Sequence, residues 1–122
     1  KDPKYYLFFT RTANGRRAAK AFLERLKERT SDRDSSMAIR SFRAQLKAIH
    51  AWGTQAPQDL GVIKQLTFVA NGENDLMVPT ANTVDLARRI PGAKVDIYED
   101  EGHGGIFQHH QTFVAETLAF LA

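Results

Sequence analysis

The chain has 122 residues, 43% of them apolar and 25% charged, which is the profile of one ordinary globular domain rather than a disordered or fibrous chain. It has no cysteine, which excludes disulfides and thiolate metal sites; it has neither a signal-peptide pattern nor an apolar run near the roughly 18 residues of a membrane span, so a cytoplasmic location without membrane contact is expected. The net charge of +3 divides unevenly, with 13 Lys or Arg against 5 Asp or Glu in residues 1–50 and 4 against 9 in residues 51–122; the basic half is interrupted by Glu24, Glu28, Asp32 and Asp34 and carries no interleaved aromatic platform, so no nucleic-acid partner is expected.

The apolar run at residues 5–9 is too short to assign and reads either as the end of a helix or as an anchor. Residues 16–29 predict a helix, because Ala19, Phe22, Leu23 and Leu26 recur at the three- and four-residue spacing of a buried face, with Asn14 and Gly15 marking its approach. Residues 30–36 are polar and turn-like and offer Asp34, Ser35 or Ser36 as a cap for a second helix. That helix runs to about Trp52, with Ile39, Phe42, Leu46 and Ile49 on its apolar face, and stops at Gly53, a residue suited to a left-handed cap. Two helices joined by a short polar link read as an αα-hairpin.

After residues 54–61 the period changes. Residues 66–70 form a continuous apolar and β-branched run that predicts a buried parallel strand, ended by the turn-rich residues 71–79. Thr80 or Asn82 can cap a helix with Val84, Ala87 and Ile90 inward, terminated by Pro91 and Gly92. Residues 94–99 alternate Val95, Ile97 and Glu99 against Asp96 and Tyr98 as a second strand, and residues 109–122 predict a closing helix with Phe113, Val114, Leu118 and Leu121 inward. Strand, helix and strand in this order make a parallel βαβ unit.

Parallel sheets place ligands beyond the carboxyl ends of their strands. Asp75 lies five residues past Ala70 and His103 four past Glu99, so a carboxylate and an imidazole are expected at one edge of the sheet. A carboxylate accepting from Nδ1 orients an imidazole and stabilises its charged form, which makes His103 a candidate general base. The glycines at 102, 104 and 105 are expected to free the backbone for an unusual turn. The competing reading of Asp75 is a turn residue. Glu73, Glu99, Asp100 and Glu101 are expected to be solvated, His50 structural or exposed, and His109 and His110 capping or surface residues. No metal is expected, because His103, His109 and His110 lack the spacing of zinc motifs. Phe8, Phe9, Trp52 and Met77 read as core residues before pocket residues, and Phe107, four past His103, has the best aromatic claim to lie near a site.

The strand before Gly72-Glu73-Asn74-Asp75-Leu76-Met77-Val78-Pro79, the helix ending near Pro91-Gly92, the second strand and the Gly102-His103 loop before a final helix together resemble the α/β-hydrolase family over residues 62–122. The resemblance implies an α/β chain holding the C-terminal portion of an α/β-hydrolase fold, two parallel strands with flanking helices, preceded by a helical cap segment; the expected division is a cap or lid at 1–60 and core at 61–122. It implies Asp75 as the triad acid and His103 as the triad base, a small-molecule substrate, no cofactor, and hydrolysis of an ester or related bond. No Gly-x-Ser-x-Gly elbow occurs in the 122 residues and Lys1 rather than Met begins them, so a nucleophile elsewhere in a longer parent is expected, and residues 1–122 alone are expected to be inactive. The alternative is a non-catalytic assembly or regulatory module. Two strands leave apolar faces uncovered, so the expected protein partner is a missing N-terminal half or a second copy of the chain.

Overall fold

The computed structural model describes residues 2–122; Lys1, the first residue of the expected 1–60 segment, lies outside them. In chain order it contains α1 (Lys4–Leu7), α2 (Ala13–Glu28), α3 (Ile39–Gly53), a 3-10 turn (Leu60–Val62), β1 (Phe68–Gly72), α4 (Thr80–Arg89), β2 (Lys94–Tyr98), α5 (Gly105–Gln108) and α6 (His110–Leu121). The described chain forms two compact units, residues 2–28 with 60–122, and Arg29–Asp59. The two helices of the expected αα-hairpin fall in different units, α2 in the first and α3 in the second.

In the first unit β1 and β2 pair in parallel, from Phe68 opposite Lys94 to Gly72 opposite Tyr98. This is the α/β architecture anticipated, two parallel strands with flanking helices, although β1 starts two residues later than its apolar run does. Leu66 stays exposed because pairing begins only where β2 begins. The covered side of β2 also differs: Tyr98 is buried and its hydroxyl donates to Glu116 of α6 at 2.8 Å, whereas Val95 is exposed. On α4 the buried residue is Thr83 rather than Val84, and Ile90, just past the helix end, is buried as expected. On α6, Phe113 stacks on Phe68 of β1 and Phe120 meets it at a tilt, while Val114, Leu118 and Leu121 remain exposed, because an apolar helix packed on a single side leaves its other side bare.

The core lies under α2. Phe9, Ala19 and Phe22 are buried together, with Tyr5, Phe8, Ala18 and Leu23 against them; burying each phenylalanine stabilises the fold by about 2–3 kcal/mol. The unassigned run at residues 5–9 is thus one helical turn followed by two anchors, Phe8 and Phe9. Helix α2 starts at Ala13, three residues before the expected start at residue 16, because the Thr12 hydroxyl accepts the Gly15 N–H at 3.0 Å as an N-terminal cap. Gly15 sits inside the helix, where any Cβ would overlap the Thr10 carbonyl and hydroxyl.

In the second unit α3 begins at Ile39 after Ala38 with no side-chain cap, so Asp34, Ser35 and Ser36 do not serve as one. It ends without a left-handed residue: Thr54 continues in helical conformation, and its N–H and hydroxyl each bond to the His50 carbonyl at 3.1 Å. Its stripe of Ile39, Phe42, Leu46 and Ile49 is exposed.

Candidate active site

The site is built where β1 and β2 end. Past Gly72 the ladder extends by one bond, Glu73 N–H to the Tyr98 carbonyl at 2.9 Å, and the two following loops are tied together by the Asn74 N–H to the Glu101 carbonyl at 2.7 Å. Gly72 must be glycine for this, because a Cβ there would come within 2.7 Å of the Glu101 carbonyl oxygen. The Thr80 hydroxyl donates to the Gly72 carbonyl at 2.6 Å and anchors the start of α4 to the strand end. Thr80 is thus the first helical residue rather than its cap.

Asp75 and His103 meet across these loops, with His103 Nδ1 2.9 Å from Asp75 Oδ2. The other carboxylate oxygen, Oδ1, accepts the N–H groups of Met77 at 2.8 Å and Val78 at 2.9 Å. The Asp75 side chain is 1% exposed and that of His103 32%. Burial by itself pushes the Asp75 carboxyl up, but the Val78 N–H, the His103 ring and the Met77 N–H outweigh it and hold the group below the ordinary carboxylate value. The carboxylate stays ionised, accepts from Nδ1, and leaves Nε2 as the nitrogen free to exchange a proton. His103 and Asp75 line a cavity of about 500 Å³ together with Phe8, Gly72, Ile106 and Phe107. Of the apolar side chains considered from sequence, Phe8 and Phe107 reach this cavity, Phe9 is core, and Met77 and Trp52 are exposed.

Two acidic residues in the His103 loop depart from the solvated role expected of them. Glu101 is fully buried. Its Oε1 lies 2.9 Å from His109 Nε2, but without the alignment of a directed hydrogen bond, and neither of its oxygens has a hydrogen-bond partner. Burial, and then the charge of Asp100, push its carboxyl up to about 8. Asp100 adopts a left-handed backbone, φ 53°, and its carboxylate collects the side-chain donors of Thr10, Thr12 and Asn14. The glycines beside His103 serve a different purpose from the one expected: none of them has a positive φ, and they give room. A Cβ at Gly102 would stand 2.9 Å from the Phe8 carbonyl oxygen, and one at Gly105 2.6 Å from Glu101 Oε2. His109 is part-buried with its ring stacked on Tyr98 at 5.4 Å, while His110 and His50 are exposed. Among the described residues no group of three or more His, Asp or Glu is placed to hold a metal ion, and no helix is long and apolar enough to cross a membrane.

An acid and then a histidine in loops that follow successive parallel strands match the chain order of the last two triad members in α/β-hydrolases. An α/β-hydrolase fold protein from Chitinophaga pinensis superposes with a TM-score of 0.92 at 36% identity, over 99% of this chain and 46% of that one. A 2-hydroxy-6-oxononadienedioate/2-hydroxy-6-oxononatrienedioate hydrolase from Klebsiella pneumoniae is 32% identical over 102 residues, which is 83% of this chain and 34% of that protein. A 2-hydroxy-6-oxo-6-phenylhexa-2,4-dienoate hydrolase from Burkholderia cepacia is 34% identical over 79 residues, 65% of this chain and 27% of that protein. No family model matches the sequence. The chain is similar to members of the α/β-hydrolase family and carries the C-terminal portion of that fold; it spans about a third of the length of these relatives and just under half of the solved structure.

Proposed function

We propose that the protein is a hydrolase in which Asp75 and His103 are the acid and base of a nucleophile–histidine–acid triad. The observation that carries this reading is the buried Asp75 carboxylate, held by two main-chain N–H groups and aimed at His103 Nδ1 at 2.9 Å on the wall of a cavity. His103 Nε2 takes the proton of a hydroxyl nucleophile as it attacks the substrate carbonyl, and Asp75 stabilises the imidazolium that forms. The imidazolium then returns the proton to the leaving group, and water repeats the cycle on the covalent intermediate. The nucleophile comes from outside these residues, from a longer form of the chain or from a partner, because the sequence has no Gly-x-Ser-x-Gly elbow. Residues 1–122 by themselves are then inactive. The cap role falls to helical residues within 1–60 and the core role to 61–122. The exposed Val114, Leu118 and Leu121 favour association with the remaining part of a hydrolase or with a second copy. A cytoplasmic location fits a small-molecule substrate.

The names of the two bacterial hydrolases make 2-hydroxy-6-oxo-dienoates the first substrates to test, beside a simple activated ester. In the form that carries a nucleophile, His103→Ala lowers kcat by about 10³-fold or more, as loss of a triad member does in other enzymes. A His103→Ala protein that hydrolyses dienoate and ester like the wild type removes His103 from the mechanism.

A further inference from the structure

We propose that Asp100 and residues 8–14 form a clasp that fixes the position of His103, which makes Asp100 a positioning residue for the reaction proposed above. The inference rests on that reading but is carried by separate contacts. Asp100 stands three residues before His103, and its carboxylate is bonded by three side chains from one short stretch: the Thr10 hydroxyl to Oδ1 at 2.8 Å, and the Thr12 hydroxyl at 2.9 Å with the Asn14 amide at 3.2 Å to Oδ2. The Thr10 hydroxyl also lies 3.3 Å from the Asp100 main-chain oxygen. On the far side of His103 the Gly104 N–H donates to the Phe8 carbonyl at 2.7 Å. The same stretch of chain thus grips the histidine loop on both sides of the ring, and the Phe8 ring meets His103 edge-on at 5.3 Å.

The stretch is itself fixed. Phe9 is buried in the core with Phe22, and Phe8 contacts Phe22 and stacks on Phe107 at 6.0 Å. At its other end the Thr12 hydroxyl caps α2. A carboxylate suits the junction because it accepts on both oxygens, and all three side chains facing it can donate. The Thr10 hydroxyl above all, with the Thr12 hydroxyl and the Asn14 amide, holds the Asp100 carboxyl below its usual value against the opposing effect of burial, so the acceptor is charged at neutral pH. Aspartate also tolerates the left-handed backbone, φ 53°, that turns the chain toward His103. A loop so gripped holds the imidazole in line with Asp75, and misplacement by about 1 Å can cost on the order of 100-fold in rate.

The decisive variant is Asp100→Asn, because asparagine keeps the shape and the left-handed backbone while turning one acceptor into a donor that faces donors. In the full-length protein the readouts are the Nδ1 proton resonance and the ring-carbon titration of His103 by NMR, together with kcat and KM on an activated ester. Asp100→Asn is expected to shift or broaden the His103 Nδ1 resonance, and to lower kcat about 10- to 100-fold with KM unchanged. Thr12→Val, which removes one donor, gives a smaller change of the same kind and replaces Asp100→Asn if that variant fails to fold. An unchanged His103 resonance and kcat in a folded variant overturn the clasp, even if stability falls. His103→Ala measured alongside separates the two claims: if it is inactive while Asp100→Asn behaves as wild type, the clasp alone fails. If His103→Ala is active, the triad reading fails, and the resonance of His103 in Asp100→Asn still decides the clasp.

Discussion

Replacing Glu101 by glutamine changes how stability depends on pH, and the direction follows from its surroundings. The Glu101 side chain is fully buried with no hydrogen-bond partner on either oxygen, and its carboxyl is raised from 4.5 to about 8. A folded-state value above the unfolded one means that the folded protein holds this proton more tightly than the unfolded chain does. The stabilisation is complete below pH 4.5 and is lost as pH rises toward about 8. Over that window the loss is about 1.4 kcal/mol per pH unit and reaches on the order of 4 kcal/mol at its upper end. Glutamine cannot ionise, so Glu101→Gln lacks this slope; leaving its amide imperfectly bonded shifts the whole curve by about 1–3 kcal/mol without tilting it. Urea unfolding followed by far-ultraviolet circular dichroism at several pH values from 5 to 8 reads the difference. Trp52 is a poor reporter for this purpose, being exposed in the other compact unit. A wild-type-minus-variant difference that stays constant from pH 5 to 8 refutes the argument, and means that Glu101 does not change its ionisation across that range.

Asp75 works with the opposite sign. Its folded-state value lies below the unfolded 3.8, so it stabilises the fold above that pH and the contribution disappears as pH falls through the lowered value; acid titration of stability below pH 4 is therefore steeper in the wild type than in Asp75→Asn, with far-ultraviolet circular dichroism as the check. Phe22→Ala opens a cavity among Phe8, Phe9 and Phe107 and costs about 3–5 kcal/mol in urea unfolding; a loss under 1 kcal/mol would mean that the aromatic cluster contributes little.

The elements legible in the sequence were those whose signals are local. Strand, turn and helix alternate between Phe68 and Tyr98 with apolar runs bounded by Pro79, Pro91 and Gly92, so the βαβ order could be read directly, and the acid and histidine loops each follow a strand. What stayed hidden depends on chain segments far apart. The donors to Asp100 lie 86 to 90 residues before it, and nothing in the local pattern distinguishes an aspartate that will receive them from a solvated one. Glu101 is similar: a glutamate beside another acid reads as surface, and only the space left by Gly105 and its closeness to Gly72 lets it be buried. The apolar stripes of α3 and α6 show the converse error, because an amphipathic period says that a face can be buried and not that this chain buries it.

The two buried carboxyl groups on either side of the strand ends are driven apart in ionisation by their partners rather than by depth. Both are almost fully withdrawn from water, which favours the neutral acid in each. Asp75 receives two main-chain N–H groups and an imidazole, so its charge is stabilised where it lies; Glu101 receives no hydrogen bond and sits next to the negative Asp100, so it keeps its proton. Carboxyl pairs whose environments push them in opposite directions mark acid–base sites in enzymes. Here the effect is to leave a single buried anion for His103 until pH approaches about 8, when Glu101 ionises two residues away in the chain. A second buried negative charge on the same loop would stabilise an imidazolium without orienting it, since the carboxylate bonded to Nδ1 is that of Asp75. The proton on Glu101 therefore leaves charge stabilisation of His103 to the carboxylate that bonds its Nδ1, the one positioned by the backbone of Met77 and Val78.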